Sequence, residues 1–390
     1  MSRFNLAASS FLILGVVGLS ACNSNKPEPT PSETVASAPA FTVPMASNDP
    51  APGQPPQQED AARPVMQAQV VLERLGFSAG IIDGKTGLST TNAVSGFQKA
   101  NGLPVTGKFD DVTMKALSRW SNIAATRVVT IPEEFAAGHY EPLPKDPAQQ
   151  AKLPAMGYTS LEEKLAERFH TTPEVLRGLN PSLAQVAAAR AAAMKERQTR
   201  NPPTADTPPV EAYRAGMQLR VPNIGGDRID PDKVDNKGWL STLANLGVSD
   251  AQPEAARIVV SKSKGILEAY DKSEKLVAVF TVTTGSSHDP LPLGDWKING
   301  KSYNPEFSYD ASLFWDVPDS KGEHLLPPGP NGPVGVVWID LSKEHYGIHG
   351  TPEPQTIGRA ESHGCVRLTN WDAARLAQMV TGATKVSFVS

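Results

Sequence analysis

Apolar positions along the chain repeat with two different periods. Between residues 65 and 120 the period is helical. Ala68, Val71, Leu72 and Leu75 fall at i, i+3, i+4 and i+7 and predict a helix that Gly76 stops. Val94 and Phe97 mark the inner side of a second helix, opened at Thr91 and ended by Asn101-Gly102. Thr113, Ala116, Leu117 and Trp120 form a third stripe. Leu161, Leu165 and Phe169 line another helix, behind a capping box made by Ser160 and Glu163. Val175, Leu176 and Leu179 belong to the next, capped by Thr171-Thr172 before Pro173 and closed by Asn180-Pro181. A turn and strand follow at 215–223. From 257 the period shortens: 258–260, 265–270, 276–284 and 334–341 read as strands parted by polar turns. Residues 370–380 return to an amphipathic helix with Asn370 as its N-cap.

The N-terminal segment follows neither period. Residues 7–19 are mainly apolar, preceded by Arg3 and closed by Leu19-Ser20-Ala21-Cys22. This reads as a secretory signal peptide over 1–21, since the apolar run is shorter than the roughly 20 residues a spanning helix needs. Leu-Ser-Ala-Cys resembles a bacterial lipobox, which implies lipidation of Cys22. Several acyl chains suffice for stable anchoring. Asn23, where an aspartate would imply retention in the inner membrane, implies the outer membrane. The expected location is therefore the periplasm, lipid-anchored to the outer membrane. Residues 22–64 carry ten prolines and few bulky apolar side chains. They read as a tether that could extend to roughly 130 Å.

Composition narrows the function. The 390 residues allow two to three domains. Lysine plus arginine (37) nearly balance aspartate plus glutamate (41), so binding driven by phosphate neutralisation is not expected and nucleic acid is excluded as a partner. Only two cysteines are present, which rules out a disulfide framework. With Cys22 lipidated, Cys365 has no partner. A lone thiol in an oxidising compartment calls for a chemical reason.

Two segments resemble wall-binding modules. Leu75-Gly76-Phe77, Asp83-Gly84, Ala93-Val94, Phe97-Gln98, Asn101-Gly102-Leu103 and Thr106-Gly107 together resemble the peptidoglycan-binding domain of cell-wall enzymes. The resemblance implies a small all-α three-helix domain over 65–119. At 158–224 the order of two helices, Leu179-Asn180-Pro181 and then Gly216 to Asn223 resembles a βααβ lysin-motif (LysM) module. It is interrupted by an Ala-rich and Pro-rich insertion at 183–210. Glycan binding and a spacer that props the next domain are both open for it. Stretches 120–157 and 225–256 read as linkers.

The chemistry gathers in 257–390, expected to be mostly β with a C-terminal helix. The run is Tyr346-Gly347-Ile348-His349-Gly350-Thr351, then Ser362-His363-Gly364-Cys365-Val366-Arg367-Leu368. A histidine beside a thiol can take its proton and leave a thiolate–imidazolium pair. Glycine beside the nucleophile admits a carbonyl and frees backbone N–H groups for an oxyanion. A zinc reading finds His349, His363 and Cys365 but no fourth ligand, so no metal is expected, and no cofactor-binding motif is evident. His139, His170, His288, His324 and His345 form no cluster in sequence and receive no role.

This run resembles the active-site motif of the L,D-transpeptidases of peptidoglycan, as do Pro327 to Asn331 before it and Asn370-Trp371-Asp372 after it. The resemblance implies Cys365 as nucleophile, His349 as base and later acid, and His363 as a shaper of the loop that aids proton transfer. It implies Gly364 and Cys365 as oxyanion N–H donors, and Gly350 as the carbonyl that orients His349. Arg367 is either a carboxylate clamp or a brace, and Tyr346 either lines the pocket or packs the core. The implied reaction is attack on a tetrapeptide stem with release of D-Ala. It yields 3–3 cross-links or attachment of an outer-membrane protein, with acylation by carbapenems also implied. The alternatives are a hydrolase of such links and a non-catalytic protein that staples outer membrane to wall.

Overall fold

The computed structural model describes residues 61–186, 188–189, 192, 213–227, 229–313 and 317–390. The signal segment, Cys22, nearly all of the tether and most of the 183–210 insertion lie outside these. No helix of the described residues is long and apolar enough to cross a membrane.

The first module is helical. Helices α1 (Pro64–Arg74), α2 (Leu88–Ala100) and α3 (Asp111–Leu117) close over Leu72, Val94 and Phe97. Helix α2 begins at Leu88, three residues before the expected start at Thr91. Asp110 caps α3 by accepting from the Thr113 N–H.

The second module holds more structure than its pattern suggests. Strand β1 (Thr126–Thr130) lies inside the stretch expected to be a linker and pairs antiparallel with β2 (Gln218–Pro222). Two one-turn helices follow β1: α4 (Glu133–Ala136) and α5 (Pro147–Gln150). Helices α6 (Leu161–Arg168) and α7 (Pro173–Leu179) then pack Leu161, Leu165, Phe169 and Leu176 against the two strands. Ser160 caps α6 as expected, but Glu163 reaches back to the Thr159 N–H. The second expected linker, 225–256, contains helix α8 (Lys237–Leu246), whose Trp239, Leu243 and Leu246 enter the largest core.

The remainder is mostly β. Its strands are β3 (Arg257–Ser261), β4 (Ile266–Tyr270), β5 (Leu276–Thr281), β6 (Gly294–Tyr303), β7 (Phe307–Asp310), β8 (Glu323–Leu326), β9 (Val337–Leu341), β10 (Gly347–His349), β11 (Val366–Arg367) and β12 (Lys385–Val389). Among the described residues, eight form one sheet in the order β11-β10-β9-β6-β12-β3-β4-β5, and β7 pairs with β8 separately. Helix α9 (Asn370–Met379) connects β11 to β12. Its N-cap is Thr369, whose hydroxyl accepts from the Asp372 N–H, because Asn370 is turned fully inward. The sheet edges meet: Thr283, just past β5, exchanges backbone hydrogen bonds of 3.0 and 2.9 Å with Arg367 of β11. The short strand that follows Cys365 is thus held on both sides.

Strand β5 is buried on both faces, hence its unbroken apolar run. Ala278 and Phe280 face the main core, while Leu276 and Val279 join the core of the first module. Phe77 bridges Val279 directly. The first two modules also converge on α9. Glu73 of α1 pairs with Arg375 at 2.8 Å, and Ser78 donates to Asp372 at 2.9 Å. His170, buried after α6, stacks on Trp371 with centroids 4.9 Å apart. Its Nδ1 lies 3.2 Å from Glu73.

Candidate active site

Two short parallel strands set the geometry. In β10 and β11, Ile348 faces Val366 and His349 faces Arg367. Successive side chains alternate between faces, so Ile348 and Val366 enter the core, both fully buried. By the same alternation Gly347, His349 and Arg367 share the other face, and the Arg367 charge acts on both His349 and Cys365, which directly precedes β11. The Gly347 N–H reaches the Cys365 sulfur, and the Leu368 N–H donates to the His349 carbonyl at 2.9 Å.

His349 is 4% exposed. Its Nδ1 lies 2.7 Å from the Gly350 carbonyl oxygen, which can only accept, so Nδ1 carries the proton and Nε2 keeps its lone pair. Burial, reinforced by the Arg367 charge, pushes its pKa down to about 3. The ring stacks on Trp338 of β9, its cross-strand neighbour, at 5.3 Å. Trp338 carries no sequence signal beyond a place in an apolar strand. It stands so close to the strand beside it that a methyl group at Gly347 would fall 2.4 Å from its ring.

Cys365 is a half-buried free thiol. Burial raises its pKa above the ordinary 9.0, with the Gly347 N–H and Arg367 pulling the other way. The thiol points to the His345 carbonyl, with 3.7 Å between sulfur and oxygen. Burial thus works against a charge on either group, raising the thiol pKa and lowering that of the imidazole.

The turn before β11 is pinned from several sides. Ser362 donates from Oγ to the Cys365 carbonyl at 2.6 Å, and its backbone bonds to Thr284 and Ser286. Gly364 has φ +103°, and a methyl group there would lie 2.7 Å from the Tyr346 ring. Burial raises the Tyr346 pKa, with Cys365 and Asp289 adding to the rise, so its hydroxyl senses the thiol. Cys365, His349, Gly350, Gly364, Arg367 and Tyr346 thus come together. His363 sits half-buried on the same turn. A separate cleft of about 400 Å³ lies between the first module and the 354–359 loop; neither Cys365 nor His349 lines it.

Comparison with known proteins bears directly on this arrangement. Residues 255–387 match the L,D-transpeptidase catalytic domain. Bacillus licheniformis has a protein provisionally named L,D-transpeptidase YkuD that is 32% identical over 155 residues, 39% of this chain and 78% of that one. The chain belongs to the L,D-transpeptidase family. Residues 62–117 of the enzyme match a peptidoglycan binding domain, itself provisionally described. Escherichia coli K12 has a protein provisionally named L,D-transpeptidase YbiS that is 29% identical over 194 residues, 48% of the enzyme and 62% of that chain. A crystal structure of L,D-transpeptidase 3 from Mycobacterium tuberculosis aligns at 18% identity and TM-score 0.29, over 35% of the enzyme and 60% of that chain. That alignment adds nothing to the assignment.

Proposed function

We propose that the enzyme cross-links peptidoglycan by acyl transfer through Cys365. The thiol attacks the carbonyl between the third residue of a tetrapeptide stem and its terminal D-Ala. His349 Nε2 takes the thiol proton as the carbon–sulfur bond forms. Backbone N–H groups of Gly364 and Cys365 hold the developing oxyanion. The imidazolium returns the proton to the D-Ala nitrogen, that bond breaks, and a thioester remains. The side-chain amine of another stem then attacks the thioester. It loses a proton to His349, and the thiol leaves with that proton, closing a 3–3 link. Ser362 and His363 shape the turn, and Arg367 tunes both reacting groups through its charge.

The observation that carries this reading is His349 itself. It is buried and held toward the neutral form, with Nδ1 committed to Gly350 and Nε2 left as a base on the strand paired with β11, which directly follows Cys365. The test is incubation of the mature chain with disaccharide-tetrapeptide, followed by product masses, with Cys365→Ala as control. A dimer lacking one D-Ala, absent with the variant, is expected. Tripeptide monomer alone would indicate a carboxypeptidase or a missing protein acceptor. Links formed by Cys365→Ala would sink the mechanism.

The same proposal carries the enzyme to its substrate by lipidation at Cys22 in the outer membrane, resting on the lipobox-like residues alone. A Cys22→Ser chain should be released in soluble form when cells are fractionated. The order β1, α6, α7, β2 supports a LysM-like second module.

A further inference from the structure

The second module is linked to the backbone beside His349 through one side chain of α9. Asn370 is fully buried at the start of α9, and its carboxamide is used completely. Nδ2 donates to Glu167 Oε1 on α6 at 2.8 Å and to the Pro330 carbonyl at 3.0 Å. With both donors committed, Oδ1 must face the other way. There it accepts from the Val336 N–H at 3.3 Å and presses against two glycines. A methyl group at Gly335 would lie 1.9 Å from Oδ1, and one at Gly350 would lie 2.2 Å from it. The Gly350 carbonyl is the acceptor for His349 Nδ1–H.

The helix that carries Glu167 is tied to the same segment that Asn370 contacts at Pro330. Helix α6 is fastened to the 327–331 segment on both sides of Pro330. Asn331 Nδ2 donates to Glu163 at 2.8 Å and to the Gly157 carbonyl at 2.9 Å. The Met156 N–H donates to Pro328, and its carbonyl accepts from the Asn331 N–H. Without the Glu167 acceptor, a carboxamide flip would cost Asn370 one hydrogen bond fewer. It would also bring an NH₂ group against the Val336 N–H and the Gly350 backbone.

We propose that Glu167 is a positioning residue for the reaction. It orients the Asn370 carboxamide, and through it the Gly350 carbonyl that fixes the tautomer of His349. The second module is then part of the catalytic apparatus, whether or not it holds glycan. This rests on the reading of His349 as the base.

The test compares Glu167→Leu, which removes the acceptor at similar size, with Glu167→Gln, which keeps an oxygen for Asn370. Both are made in the full mature chain. Two quantities are read: the rate of Cys365 acylation by a carbapenem, from intact mass, and the ¹⁵N shifts of the His349 imidazole. Glu167→Leu should acylate about tenfold or more slowly and show mixed tautomers, because outer partners of a reacting histidine carry effects of that size. Glu167→Gln should stay within about threefold of wild type with one tautomer. A Glu167→Leu enzyme with wild-type rate and shifts would overturn the proposal. Should that variant lose its cooperative melt, Glu167→Asp decides instead. It keeps a carboxyl group but withdraws the acceptor by one methylene, and a rate equal to that of Glu167→Gln overturns the proposal. His349→Ala separates the two readings: wild-type acylation there removes the base itself, whereas a slow His349→Ala beside a fast Glu167→Leu overturns only the role of Glu167.

Discussion

At the scale of the residue, the reacting pair is poised uncharged. Burial pushes the His349 pKa down to about 3 and raises that of the Cys365 thiol. The state needed for attack, thiol with neutral imidazole, therefore dominates across the neutral range. Acylation of Cys365 should be flat from pH 5 to 8, with no inflection near 6.5, and should rise only as the thiol itself ionises. An acid limb centred near 6.5 would contradict this. Arg367 supplies a charge that lowers both groups. In Arg367→Ala both pKa values move up, so the acid limb should shift toward neutrality and the alkaline rise should shift to higher pH. A profile that does not move would leave Arg367 as a brace alone.

At the scale of the element, helix α9 is where the three parts of the chain meet. Glu73 sits 3% exposed between Arg375 and His170. Burial pushes its carboxyl up, but Arg375 and His170 pull it well below the usual range. Asp372 nearby goes the other way, raised by burial and by Glu73. Glu73→Ala should remove the shorter of two ion pairs of the Arg375 guanidinium, leaving only Asp372 at 4.0 Å, and cost about 3 kcal/mol. The check is a denaturant titration, where the midpoint should fall. An unchanged midpoint would mean that relief of the Glu73–Asp372 repulsion offsets the whole loss.

At the scale of the whole molecule, the modules are not beads on a string. Ile266, Tyr270, Leu276 and Val279 of the catalytic sheet lie in the core of the first module. A fragment of 255–390 would expose that face, so it should bind apolar dyes and aggregate where the longer chain stays soluble. Light scattering on both proteins checks this. Glu167 adds a pH signature to the same assembly. Burial, opposed by Tyr158 and Asn370, raises its pKa from 4.5 to about 7. The folded chain then holds a proton that the unfolded chain has lost. The contribution of Glu167 is greatest below pH 4.5, falls as pH rises toward 7 and is constant above. Relative to Glu167→Gln, the wild type should lose up to about 3 kcal/mol across that window. Melting of the two proteins at pH 4.5 and 8 reads the difference directly.

What the sequence determined by itself was local or chemical. Helical stripes such as Val94 and Phe97, the β-branched run at 276–284, and the His349 and Ser362-to-Arg367 motifs all express short-range periodicity or residue chemistry. Local order could not reveal partners far apart in the chain. Strand β1 was hidden in a Pro-bearing stretch because its partner β2 lies beyond two helices and an insertion. Trp338 reads as any strand tryptophan until β10 lays His349 across it. His170 reads as a lone histidine until Trp371 stacks on it, 4.9 Å away. Glu167 and Asn370 are 203 positions apart. Only tertiary packing brings their polar groups together, because each is buried and must find its hydrogen bonds wherever the fold delivers them. The same packing shifts the two reacting groups, since how far burial penalises a thiolate or an imidazolium depends on what closes over it.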